Sequence, residues 1–298
     1  MGIIKGIFAI ISTIMLWSLA VVLIKYLSYF FDVATQNFIR YSTASFFLLV
    51  LSLNKLKNLR ELFSDKHILI PASFLFLFQT FTVHGLYITK STIASLLMRT
   101  SAIFTILLSY SFFKEERKII KSKMFILGSI IAFLGVFGIY YEPFSLRNEK
   151  EIIGMLLVIL GSFMWSCYII SIKKLIKGKD PLIFTIPILA STSIMFIPHV
   201  ILFGNILDIV KSSFTVNLIL VISGILGVGL GNWMNYIAIK ELGAVIPAIL
   251  RLLIPLFTGI FSYIILNEVL TLNEIVFGTF LLFGCGIVMY YTTKSFTS

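Results

Sequence analysis

Three arginines, Arg40, Arg99 and Arg251, lie within long apolar stretches of a 298-residue chain that is 59% hydrophobic and 12% charged. Each sits about eight residues inside its stretch, which is about 12 Å at a helical rise of 1.5 Å per residue. A charge that deep in a bilayer costs at least about 2.5 kcal/mol to insert and usually serves function. The chemistry open to a guanidinium there is anion recognition, because its fork of N–H donors matches a carboxylate or a phosphate. Every Asp and Glu falls at the end of an apolar stretch or between stretches, so no carboxylate stands at comparable depth. The arginines are therefore expected to supply positive charge to an anionic group on a small ligand. The competing reading is an arginine that snorkels or bonds backbone carbonyls for structure alone.

Other polar and aromatic residues join them as candidate ligand contacts. Trp17 and Trp165 are too deep for the interfacial belt and must face protein or a cavity. Asn232-Trp233 and Asn235-Tyr236 follow Gly224, Gly227, Gly229 and Gly231, a small-residue run that lets membrane helices approach closely. Their amides can bond a polar ligand or bridge helices. Gln79 and His84 share one stretch, and an imidazole can relay a proton near its unperturbed pKa of about 6.5. Lys25 and Lys173 are expected to snorkel at their membrane interfaces. Pro187, Pro247 and Pro255 are candidate hinges, since proline removes a helix hydrogen bond.

These side chains must be positioned by membrane helices. A span needs about 20 mostly apolar residues. Ten such runs occur, at 3–28, 32–53, 67–89, 91–113, 122–141, 152–174, 181–204, 215–239, 243–266 and 273–292. Lipid admits only helices and closed barrels, and runs of this length are not alternating barrel strands. An all-α membrane protein of ten transmembrane helices is the fold class expected. With the N-terminus inside, sixteen Lys and Arg residues fall in inner gaps and four (Lys90, Arg147, Lys150, Lys211) in outer ones. That asymmetry places both termini in the cytoplasm. Lys5 and the apolar run after it are read as the first span rather than a cleaved leader.

The net charge of +11 is spread over short gaps rather than gathered on one face, which excludes a nucleic-acid partner. Cys167 and Cys285 lie in apolar runs and are read as packing residues. No metal-ligand spacing and no cofactor motif occurs, so neither is expected. His-Glu-x-x-His, a membrane aspartate pair and Gly-x-Ser-x-Gly are all missing, which disfavours an intramembrane enzyme. The expected partners are the bilayer and a small-molecule substrate. Lys-, Ile- and Asn-rich usage suggests a microbial source, and hence the plasma membrane as the expected location.

The chain is also duplicated. Met15–Tyr26 reads MLWSLAVVLIKY and Phe163–Lys174 reads FMWSCYIISIKK, each with Trp-Ser and then, after six residues, Lys. Phe104-Thr105…Ser109-Tyr110 matches Phe257-Thr258…Ser262-Tyr263, and Tyr87-Ile88 matches Tyr236-Ile237. Lys114-Glu115-Glu116 and Asn267-Glu268 close corresponding runs, and Gly128 with Tyr140-Tyr141 matches Gly278 with Tyr290-Tyr291. The halves are taken as 1–146 and 147–298. Five spans in each half make the second enter the membrane inverted, a plan that belongs to secondary transporters.

The sequence resembles the drug/metabolite transporter superfamily, and within it the EamA-type ten-helix transporters. The resemblance rests on Trp17-Ser18…Lys25, Phe38-Ile39-Arg40-Tyr41, Ala244…Pro255-Leu256-Phe257…Glu268 and Gly278, and it covers nearly the whole chain. The first half departs from it in placing Ala102 where the second has Pro255. The resemblance implies export or exchange of small metabolites, often amino acids, by alternating access. It also implies a central cavity lined by spans 1–4 and 6–9, with spans 5 and 10 to the side. Antiport of a phosphorylated metabolite or nucleotide sugar would use the same arginines. Efflux of cationic drugs would want a buried carboxylate, and none is evident in the sequence.

Overall fold

The structure is a computed structural model and describes residues 2–55, 61–88, 97–139, 149–266 and 272–297. Among these no strand occurs. The helices are α1 (Gly2–Leu27), α2 (Val33–Leu51), α3 (Leu69–Ile88), α4 (Thr100–Phe112), α5 (Lys114–Ile120), α6 (Lys123–Ile139) and α7 (Glu149–Leu175). In the second half they continue as α8 (Pro181–Phe203), α9 (Leu207–Lys211), α10 (Phe214–Ser223), α11 (Gly231–Leu242), α12 (Val245–Leu250), α13 (Ile254–Leu266) and α14 (Leu272–Thr297). The side chains of Lys25 and Tyr87, and the residues Tyr140, Tyr141 and Glu268, lie outside the described part.

Helix covers all ten apolar runs within the described residues. Five helical stretches are long and apolar enough to cross a membrane: Gly2–Ile24, Lys66–Gly85, Ile152–Leu175, Pro181–Phe203 and Phe214–Leu242. A sixth is formed if α5 and α6, bent by 71° at their junction, count as one. Shorter apolar helices fill Thr100–Phe112, Val245–Phe261 and Ile275–Tyr291. Large apolar side chains stay exposed along the outside, among them Phe8, Leu107, Leu134, Leu156 and Phe214. Lipid is the solvent such a surface requires.

Ends and breaks have local causes. Asp32 accepts from the Thr35 amide at 2.9 Å and caps α2. Asp180 caps α8 by accepting from the Leu182 amide, with Pro181 preset in the first turn. The turn between α11 and α12 passes through Gly243 at φ 82°, a conformation that favours glycine. The segment 114–121, read from sequence as a connection, is largely helical because Lys-Glu-Glu-Arg-Lys are good helix formers.

Two runs read as continuous are interrupted. Gly224–Leu230 forms a π-helical turn between α10 and α11. Arg251–Leu253 forms a 3-10 turn between α12 and α13. There Pro255 has no N–H to give the Arg251 carbonyl, which accepts from the Ile254 amide instead. Of the three candidate hinge prolines only Pro255 marks a break. Pro187 lies inside the unbroken α8, and Pro247 inside α12.

Helix packing repeats under exchange of the halves. α1 packs on α11 as α7 packs on α3, and α1 packs on α13 as α7 packs on α4. The π turn rests on α2 as α3 rests on α8, while α2 with α8 and α6 with α14 pair with their own counterparts. This is the pattern of two repeats related by a two-fold axis. α6 and α14 form an outrigger whose closeness depends on glycine. A Cβ on Gly284 would meet the Gly128 carbonyl oxygen at 2.6 Å and also collide with the Ala132 backbone.

That contact yields a prediction. Gly284→Leu should destabilise the detergent-solubilised protein by about 1–3 kcal/mol through overpacking. Gly286→Ala, whose added Cβ would meet nothing within 4 Å, should be near neutral. Thermal unfolding of the two variants side by side checks both.

Candidate functional site

The duplicated Trp-Ser pairs meet at the centre of the fold. Trp17 on α1 and Trp165 on α7 contact edge to face, with ring centroids 5.4 Å apart. The neighbouring serines are fully buried and make equivalent bonds. Ser18 donates towards the carbonyls of Ile14 (2.7 Å) and Ile254 (3.1 Å), and Ser166 towards those of Ser162 (3.0 Å) and Ser101 (2.9 Å). Ser101 and Ile254 are repeat counterparts in the register that sets Phe104 on Phe257. Each serine thus ties the start of a helix that follows a deep arginine.

Those arginines lie within electrostatic reach of each other. Arg251 is buried, and its Nη1 donates to Asn235 Oδ1 at 2.8 Å. Its guanidinium carbon lies 5.8 Å from the centroid of the Trp165 ring, within cation–π range. Arg99, in the turn before α4, is near enough for its charge to act on Arg251. Asn235 Nδ2 is buried without a hydrogen-bond partner. Two positive charges, an indole and an unengaged amide donor therefore converge, and the contacts made by Arg251 are to neutral groups.

A polar aromatic wall adjoins this centre. Tyr168 and Tyr236 share a hydroxyl–hydroxyl bond of 2.5 Å, and Tyr168 also donates to Asn232 Oδ1 at 3.0 Å. Gln79 donates to the Tyr41 hydroxyl at 3.0 Å, and Phe78 and Tyr168 flank Trp165. The π turn offers two carbonyls to side chains. Trp17 Nε1 donates to Gly227 O at 2.8 Å, and Asn232 Nδ2 to Val228 O at 2.8 Å.

Of the residues singled out from sequence, Trp17, Trp165, Arg99, Arg251, Asn232, Asn235, Tyr236 and Gln79 belong to this connected centre. Arg40 stands apart, buried against the glycines of the π turn with Nε unpartnered. Trp233 packs between the two main apolar clusters. His84 lies towards the other end of α3, its Nδ1 donating to the Thr80 carbonyl at 2.8 Å and its ring 5.8 Å from that of His199. Tyr41 and Tyr168 were not singled out. Each stands in a quoted motif, after Arg40 and after Trp165-Ser166-Cys167, but a tyrosine in an apolar run carries no depth signal of the kind a charge does.

The lysine-rich end also differs from expectation. Lys173 does not snorkel. It pairs with Glu116 and, at 3.4 Å, with Glu115, and its ammonium sits 3.9 Å over the Phe113 ring. Glu116 is only 2% exposed, so a carboxylate at a helix end is nonetheless buried. On the same side Lys179 donates to Asp65 and holds its carboxyl below the ordinary range. At Asp180, burial pulls the carboxyl upward, but bonds from Lys55 and the Leu182 amide bring it below its usual value. Cys167 and Cys285 are free thiols. No cluster of three or more metal-ligating side chains occurs among the described residues.

Comparison with known proteins agrees with this architecture. The family model described as the EamA-like transporter family matches twice, at residues 4–141 and 152–290. A Haemophilus influenzae protein described as an uncharacterized transporter is 22% identical over 294 residues, covering 94% of this chain and 96% of that one. An uncharacterized transporter of Methanothermobacter thermautotrophicus is 30% identical over 218 residues, 70% of this chain and 60% of the other. A solved crystal structure superposes with a TM-score of 0.82 at 13% identity, over 97% of this chain and 98% of that one. That likeness concerns the fold alone.

Trp17→Phe keeps an aromatic ring but strips the donor from the Gly227 carbonyl. An unsatisfied buried carbonyl should cost about 1–3 kcal/mol, read as lowered stability in chemical or thermal unfolding.

Proposed function

The chain belongs to the EamA-like transporter family, and we propose that it moves a small metabolite bearing an anionic group, an amino acid or a close relative, across the plasma membrane by alternating access. It is a multi-pass membrane transporter of the drug/metabolite superfamily and not an enzyme. The single observation behind the substrate class is buried Arg251, set beside Trp165 and Asn235 with the charge of Arg99 within electrostatic reach. Among the described residues no carboxylate contacts Arg251; its guanidinium is held by a neutral amide and an indole. A ligand carboxylate would complete this charge where water is excluded, and a bidentate fork would orient it.

The remaining residues follow from that placement. Asn235 Nδ2 is free to donate to the same ligand. Trp165 presents an indole face to an apolar or cationic portion of it. Ten spans with both termini in the cytoplasm form the membrane arrangement of this proposal, since the positive residues gather at one set of helix ends. Repeat halves rocking about the centre would expose the arginines to one side and then the other. Cationic drug efflux is disfavoured: the buried carboxylate, Glu116, is already paired with Lys173 and lies away from the centre.

A thermal-shift screen of the purified protein against amino acids, phosphorylated metabolites and lipophilic cations tests the assignment. A ligand at 100 times its Kd should stabilise the protein by about 2.7 kcal/mol. Amino acids should stabilise the wild type and not Arg251→Ala. Stabilisation by lipophilic cations, equal in both proteins, would overturn the substrate class.

A further inference from the structure

The buried carboxylate at the lysine-rich end has no part in the site described above. Glu116, on the short α5, joins three elements. Its Oε1 accepts from the Lys173 ammonium at the end of α7 and from the Ala244 amide, at 2.5 Å, at the start of α12. The two partners of α5 in this node belong to the other repeat. Lys173 is enclosed as well, its side chain 12% exposed and its ammonium over the Phe113 ring. The backbone approaches so closely at Gly243 that a Cβ there would collide with the Glu116 carboxylate. Ion pairs that lose this much water gain little for folding relative to apolar packing, yet breaking one by removing a partner is costly. Their best-attested use is as registers and switches.

Two arms lead from the node to the arginine centre. Along α7, Lys173 is eight residues from Trp165, about 12 Å of helix. Along α12, Ala244 is seven residues from Arg251, about 10 Å. Trp165 and Arg251 are the same two side chains that meet in the centre. α12 ends at the 3-10 turn that carries Arg251, so movement of its capped start reaches the arginine through six residues of helix. Further ties between the halves lie at the same end, Lys55 to Asp180 at 2.8 Å and Lys179 to Asp65 at 3.1 Å, but these are more exposed and individually weak.

We propose that Glu116, Lys173 and the Ala244 amide form the inner lock of the transport cycle: the three-way contact holds the lysine-rich end closed, and its release lets α5 part from α7 and α12 and opens the arginine centre to that side. This rests on the transport reading given above. The lock is nevertheless tested without any substrate, so its failure is separate from a failure of the substrate class.

Spin labels at Lys118→Cys on α5 and Lys174→Cys on α7, both exposed, with Cys167 and Cys285 replaced, report the separation of the two arms by double electron–electron resonance in nanodiscs. The protein with an intact lock should give one short-distance population. Glu116→Gln and Lys173→Met should each add a longer one, and the exchange Glu116→Lys with Lys173→Glu should recover part of the short population. Every variant is first shown to elute as the wild type does on size exclusion, and Lys55→Ala, at an exposed pair, serves as the comparison. An unchanged distance distribution in both single variants would overturn the lock, and so would an equal change in Lys55→Ala.

Discussion

A helix crossing lipid cannot leave its backbone polar groups to water, so any break must be satisfied from inside the protein. The centre of this fold is built on that constraint. At the 3-10 turn after α12 the Arg251 carbonyl accepts from the Ile254 amide, and Ser18 tethers the start of α13 through the Ile254 carbonyl. The π turn before α11 presents carbonyls, and Trp17 and Asn232 bond two of them. At the counterpart position Ser166 bonds the Ser101 carbonyl beside the turn that holds Arg99. The breaks bring Arg251 towards the middle of the bundle, and Trp17, Ser18 and Ser166 tether the segments beside them. Substituting either serine removes a helix tether, not a ligand contact.

Duplication supplies this device twice, and the halves then diverge. The serines make equivalent bonds, but the tryptophans do not: Trp17 is fixed to the π turn, while Trp165 packs at a tilt against Phe78 and Tyr168 and lies by Arg251. Among the described residues, a proline at a break and a glycine-rich π turn occur in the second half alone. The two-fold packing gives a frame with two interchangeable ends. The unequal side chains give that frame one polar centre, displaced towards Arg251, Asn235 and the tyrosine wall.

Much of this was legible in the sequence where a residue was costly in its setting. A Trp-Ser pair repeated half a chain apart and an arginine in an apolar run are costly in that setting, and Trp17, Trp165 and Arg251 do meet, while Arg40 stands apart. The helices were legible from apolar run length, and the pairing of repeat counterparts from the duplicated motifs. The breaks were less so, because Pro187, Pro247 and Pro255 look alike in sequence and only Pro255 falls at a turn, where the Ile254 amide takes the Arg251 carbonyl. Lys173 was misread as snorkelling because its partner, Glu116, lies 57 positions away on an amphipathic segment that resembles a loop. Long-range ion pairing leaves no periodic trace. Tyr41 and Tyr168 escaped notice for a similar reason: a tyrosine is apolar enough to hide in a membrane helix until the fold gives its hydroxyl a partner.

The central claim is that the arginine centre reads a negative charge on its ligand. Counterflow in proteoliposomes tests it most directly, using an amino acid that stabilises the protein and the amine obtained by decarboxylating it, two molecules that differ only in the anionic group. Uptake of labelled amino acid driven by unlabelled amino acid, but not by the amine, is the result this account predicts. Equal or faster exchange with the amine would contradict it, because the two arginines would then have no part in recognition.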